Sequence, residues 1–211
     1  MTAAADGQPF RGRLIADLSA GRKLHEVTAQ LERRIIVSLA GKVAEKLSIR
    51  GSEPGWVRHR TNRQRIAFHE AAHLIAARTI GLTVCALTVA PPDIRVGTRR
   101  LAGYMAFSEF EPSSGTTIVP DHQQAARQAF ALLGIQNGKW PDWRLVRQYL
   151  REARVRTEAL LSANWHLVDW FAIELVRRGG LSAEEIERVW ADANYRPAPL
   201  CAPQSRTPAG R

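Results

Sequence analysis

Residues 65–80 read Arg-Ile-Ala-Phe-His-Glu-Ala-Ala-His-Leu-Ile-Ala-Ala-Arg-Thr-Ile, and this stretch constrains the fold more than any other. Thr61 and Gln64 stand in capping-box spacing before it and Gly81 is a natural stop after it, so the segment predicts one helix. His69 and His73 lie four apart. A turn takes about 3.6 residues, so both imidazoles leave one face. Two nitrogens so placed can bind one zinc ion at about 2.0–2.1 Å. Glu70 projects about 100° away around the helix, where it can reach a zinc-bound water without ligating the metal. Zinc lowers the pKa of such a water to about 7, and a nearby carboxylate can take the proton and pass it to a leaving amine. Glu70 is the candidate general base. A third ligand is required, and spacing leaves Glu109, Glu111, Asp121, His122, Asp142 and Glu152 open.

Composition narrows the setting. With 45% hydrophobic and 24% charged residues, the 211-residue chain is ordinary for a globular protein. Cys85 and Cys201 form no disulfide framework, and no CxxC offers a cysteine-based zinc site. A reducing, cytoplasmic setting is expected. The start of the chain lacks the order of a signal peptide. The longest apolar stretch, from Leu74 to Ala90, is broken by Arg78 and Gly81, so no membrane span is expected. The net charge of +10 would draw anionic partners, nucleic acid among them. The arginines are spread along the chain, which fits a basic, solvated surface.

The expected architecture is mainly α with a small β-sheet. Leu31, Ile35, Leu39, Val43 and Leu47 draw one stripe on a helix from about Leu24 to Leu47. After the zinc-type helix, Leu82 to Ala90 and Leu101 to Phe107 read as two strands of a loose hairpin. A further helix should start near Pro120 and Asp121 and stop at Gly134. Another begins at Trp143, breaks near Asn164 and ends at Gly179 and Gly180. Ser182 and Glu185 form a second capping-box pair opening a helix to about Ala193. Trp140, Trp143, Trp165, Trp170 and Trp190 are expected in the core. Arg147, Arg151 and Arg154 share a helix face that should be solvated. The division is a disordered N-terminus over 1–12, a helix and linker over 13–60, a peptidase-like domain over 61–195, and a disordered tail over 196–211.

The motif helix, followed by Gly81-Leu-Thr-Val-Cys-Ala-Leu-Thr-Val-Ala-Pro, resembles the peptidase domain of the FtsH family of ATP-dependent zinc proteases. In that family a "HEAGH" helix leads into a strand and then an edge strand beside bound substrate. Leu101, Ala102, Gly103 and Tyr104 resemble that edge strand, which implies a substrate-binding role for them. The family's third ligand is an Asp in a pattern like "TGAxxDLxxAT". Ser114-Gly115 followed by Asp121-His-Gln-Gln-Ala-Ala is similar, which implies Asp121 as that ligand. Residues 161–186 resemble the closing helices. Three departures stand out. The likeness of the family's "LAGRAAE" helix, Leu39-Ala-Gly-Lys-Val-Ala-Glu45, precedes the zinc-type helix instead of following it. Ala72 replaces the motif glycine. No GxxxxGK[ST] loop is present, so no AAA+ module is expected.

The resemblance implies a zincin-like arrangement, with the HExxH helix followed by a β-hairpin and a C-terminal helical bundle. It implies a stand-alone zinc metalloendopeptidase, ATP-independent as a single domain, that cuts unfolded or flexible polypeptide. A homo-oligomer or a partner unfoldase would then supply substrate. The second expectation is a basic regulatory or nucleic-acid-associated protein whose zinc site is structural or serves one dedicated partner.

Overall fold

The computed structural model describes residues 23–50, 62–89, 95–96, 99–100, 104–107 and 120–195. Both expected tails lie outside them. The architecture is mainly helical with small antiparallel sheets.

Helix α1, Leu24–Arg50, is the long opening helix. Its expected stripe is buried at Leu31, Ile35, Leu39 and Val43, with Leu47 half-buried. A second buried set, Val37, Ala40 and Ala44, opens onto a different neighbour. Val27, Leu31, Ile35 and Leu39 pack with the helices over residues 121–137 and 143–163, whereas Val37, Ala40, Val43 and Ala44 join the core around the helix over residues 62–79. The helix is therefore sandwiched, and its apolar surface is wider than a single stripe.

Helix α2, Asn62–Thr79, carries the histidine motif. Every residue from Glu70 to Ala77 is buried. Four of those eight are alanines, which let neighbouring helices approach closely. The turn after it closes as expected. Gly81 takes φ +80°, and the Leu82 N–H bonds the Ala77 carbonyl at 2.9 Å. Phe68 stacks on Trp165, at the start of a later helix, with ring centroids 6.1 Å apart.

Strand β1, Val84–Thr88, follows, and then the short strands β2, Arg95–Val96, β3, Arg99–Arg100, and β4, Tyr104–Phe107. β4 returns antiparallel to β1, pairing Thr88 with Tyr104 and Leu87 with Met105. This is the expected hairpin, with β2 and β3 paired as a separate two-stranded ribbon. A strand the patterning did not suggest, β5 at Gly180–Ser182, lies on the other side of β1. Three residues are too few to show an alternating pattern.

Helix α3, Asp121–Asn137, starts where expected but runs past Gly134. The left-handed residue that ends it is Gly138, at φ +67°. Gly134 instead makes room. A Cβ there would stand 3.4 Å from Cε3 of Trp140. Helices α4, Trp143–Ala163, and α5, Trp165–Arg178, meet at Asn164, the expected break. The Asn164 side-chain amide donates back to the Leu160 carbonyl at 2.8 Å. Gly179 ends α5 at φ +85°.

Helix α6, Ala183–Tyr195, opens on a formed capping box. The Ser182 N–H donates to Glu185 Oε2 at 2.9 Å, and the Glu185 N–H donates to Ser182 Oγ at 3.3 Å. Trp165, Trp170 and Trp190 pack against the core as expected. Trp140 and Trp143 do not. Each is 54% exposed, because the turn at 138–142 carries them to the rim of α3. No described helix is long and apolar enough to cross a membrane.

Candidate metal centre

The site lies where α1, α2 and α3 meet. His69 and His73 leave one face of α2, with ring centroids 4.7 Å apart and planes at 74°. Asp121, the first residue of α3, points its Oδ2 between them. That oxygen is 2.9 Å from His69 Nε2 and 3.2 Å from His73 Nε2. One donor atom from each of the three residues lies within 4.8 Å of the others. The negative Asp121 also suits its place in the first turn of a helix.

The outer nitrogens are both engaged. His73 Nδ1 donates to the Val37 carbonyl of α1 at 2.7 Å. His69 Nδ1 donates to Glu45 Oε1, also on α1, at 2.8 Å. These bonds fix each ring with Nε2 turned inward, the arrangement that metal-binding histidines use. Gly41 completes the fit. A Cβ at that position would stand 2.4 Å from the His69 ring, so only glycine lets the imidazole lie against α1.

Electrostatics follow from this packing. Burial opposes a charge on His69, but the hydrogen bonds to Asp121 and Glu45 outweigh it and hold its pKa up at about 9. The bond from His69 is the main reason Glu45 falls to about 2, against some burial and with help from Lys42. Burial would raise Asp121, yet the two imidazoles hold it well below the usual carboxylate range. Glu70 is only 7% exposed. Burial raises its pKa, and the nearby histidines only partly offset that.

The donor set fits zinc. Tetrahedral ligands at about 2.0–2.1 Å stand about 3.3 Å apart, and the two Nε2···Oδ2 separations are close to that. Two imidazoles and one carboxylate would leave a fourth position open, as in hydrolytic zinc sites.

Among the sequence candidates, the geometry joins Asp121 to His69 and His73. Asp142 instead caps α4, accepting the Arg144 N–H at 3.0 Å. Glu152 accepts from Gln148 at 3.1 Å, and His122 is exposed. Glu109, Glu111, Leu101, Ala102 and Gly103 lie outside the described residues. Tyr104 opens β4, which has β1 on one side and no described strand on the other. Reading the motif from sequence missed Gly41, Glu45 and the Val37 carbonyl. The one signal for them was the likeness over residues 39–45, which ends on Glu45.

Comparison with protein-family models, with curated proteins and with solved structures returned no match for this chain.

Proposed function

We propose that this chain is a zinc metallopeptidase acting on unfolded or flexible polypeptide, akin to the peptidase domain of the FtsH family without its ATPase. The observation that carries this reading is the convergence of His69 Nε2, His73 Nε2 and Asp121 Oδ2, with both outer nitrogens anchored on α1. The resemblance supports it further, because α1 brings Gly41 and Glu45 of its displaced motif against the histidine helix. The zincin-like arrangement of helix, hairpin and closing bundle belongs to the same proposal.

His69, His73 and Asp121 would hold the metal. When bound, zinc supplies a Lewis acid that polarises the scissile carbonyl and brings a water into ionisation range near neutral pH. Glu70 is the group that would take up a proton from the attacking water and deliver it to the leaving amine. Its raised pKa suits both halves of that exchange. Glu45 and the Val37 carbonyl keep the imidazoles oriented. The outer strand β4 pairs with extended substrate, and the resemblance supports Leu101, Ala102, Gly103 and Tyr104 as its substrate-binding residues. The setting is cytoplasmic, and self-assembly or an unfoldase partner delivers substrate.

The test pairs zinc content with hydrolysis of casein. The wild type should hold about one zinc per chain. His73→Ala and Asp121→Ala should lose it. Glu70→Gln should keep zinc and lose activity by a factor of about 10²–10⁴. Unchanged hydrolysis in Glu70→Gln would overturn the mechanism, and zinc retained in Asp121→Ala would overturn the ligand set.

A further inference from the structure

Among the described residues, the buried apolar side chains fall into two clusters, and the candidate metal centre lies on the seam. One cluster joins Val37, Ala40, Val43 and Ala44 of α1 to α2, α5, α6 and β1. The other, smaller one joins Val27, Leu31, Ile35 and Leu39 of α1 to α3 and to Val146 and Ala153 in the first part of α4. α1 therefore belongs to both. His69 and His73 stand on the first side, with their outer nitrogens bonded to α1 at Glu45 and Val37. Asp121 comes from the second side, as the first residue of α3.

The second cluster contains a flaw. Gln128 is 4% exposed, and its Oε1 has no hydrogen-bond partner among the described residues. It lies two turns after Asp121, about 10 Å along the same face of α3, with Ala125 before it and Leu132 after it. A buried acceptor left unpaired weakens the packing around it by roughly 5- to 150-fold in equilibrium constant. The cluster also has a boundary inside α4. Ala153 belongs to the second cluster and Leu161 to the first. Thr157, fully buried between them, donates its hydroxyl to the Ala153 carbonyl at 2.8 Å. Back-bonding of this kind slightly destabilises a helix and bends it.

We propose that α3 and the first half of α4, residues 121–153, open and close as one unit hinged near Thr157, and that only the closed position completes the metal site. Opening withdraws Asp121. It leaves His69 and His73 on α2 and their anchors on α1, which stays seated through Val37, Ala40, Val43 and Ala44. A unit with a small core of its own and an unpaired buried group is where opening short of global unfolding is expected. Metal that needs all three ligands holds the unit shut. Docking of the unit in turn governs how metal enters and leaves. This inference rests on the zinc reading.

Hydrogen exchange of the full chain, read by mass spectrometry of its peptides, tests this with zinc chelated and with zinc restored. In metal-free protein residues 121–153 should exchange together, at least about tenfold faster than residues 165–178, with the step inside α4 falling near Thr157. Gln128→Met keeps the length of the side chain and removes the unpaired acceptor. It should slow exchange over 121–153 by roughly 5- to 150-fold. Ile186→Val trims the first core and should speed residues 165–178 by about 2- to 12-fold while leaving 121–153 unchanged. Free zinc at about a hundred times Kd should slow 121–153 by up to about a hundredfold. The proposal is overturned if all the helices exchange at one rate, or if Gln128→Met fails to slow 121–153. It is also overturned if Ile186→Val speeds 121–153 as much as 165–178. Zinc content of the same samples separates the two readings. Zinc bound without slowing 121–153 overturns this inference alone, and no zinc bound overturns the zinc reading with it.

Discussion

Gly41 has no side chain because the His69 ring occupies the space one would fill. In a helix interior glycine costs up to about 1 kcal/mol relative to alanine, so here helix stability is given up for the position of one imidazole. Gly41→Ala should therefore make α1 locally more helical and still impair the site. His69 would be pushed off Asp121 and Glu45, and zinc affinity should fall by more than the roughly 10–100-fold expected for Glu45→Gln, which keeps the ring in place but weakens its anchor. Competition with a chromophoric chelator measures both, and equal affinity in Gly41→Ala and wild type would refute the packing argument. The histidines were legible in the sequence because two ligands on one helix leave a spacing. Glu45 was not, since a carboxylate twenty-four residues before its histidine, on another helix, leaves none. With Lys42 three residues earlier it has the pattern of an ordinary surface ion pair, which it also forms. Asp121 was one of six open candidates and was singled out through resemblance, and the fold brings it within bonding distance of both rings.

Elements were legible where their ends have local causes. Gly81, Asn164 and Gly179 each terminate a helix through their own backbone or side chain, and each was readable. Gly134 was misread because glycine marks both helix ends and close contacts, and only the fold reveals Trp140 lying over it. The two-sided burial of α1 was hidden for a similar reason: alanines at 40 and 44 look neutral until a second helix packs on them. The capping box of α6 permits a clean test. Ser182→Ala removes the Oγ that accepts the Glu185 N–H and should cost about 1 kcal/mol. For a chain of this size that is about 2–4 °C in Tm. Because α6 lies outside the group formed by His69, His73 and Asp121, zinc affinity should not change. A Tm loss accompanied by zinc loss would mean that α6 and the metal centre are coupled.

At the scale of the whole molecule, the candidate metal centre ties three helices together. α1 provides Glu45 and the Val37 carbonyl, α2 provides both histidines, and α3 provides Asp121. Zinc that binds only the folded chain stabilises it by about 3–4 kcal/mol at a hundred to a thousand times Kd. At about 2–4 °C per kcal/mol, chelation should lower Tm by roughly 6–16 °C. The size of that drop should depend on pH. In zinc-free protein the folded pKa of His69, about 9, lies above its ordinary value of 6.5. The stabilisation from its proton is thus complete below pH 6.5 and is lost as pH rises through 9. Glu45 and Asp121 are lowered, so their contribution holds above the usual carboxylate range and is lost only in acid. Zinc-free protein should therefore be most stable between about pH 4.5 and 6.5 and weaken toward 9. Zinc must displace the His69 proton from Nε2, so its affinity should rise across the same interval. The two trends run in opposite directions, and the gap in Tm between zinc-loaded and chelated protein should widen from pH 6.5 to 9. Thermal melts in matched buffers read it directly. A gap that stays constant or narrows over that interval would mean that His69 is not both the proton's site and the metal's.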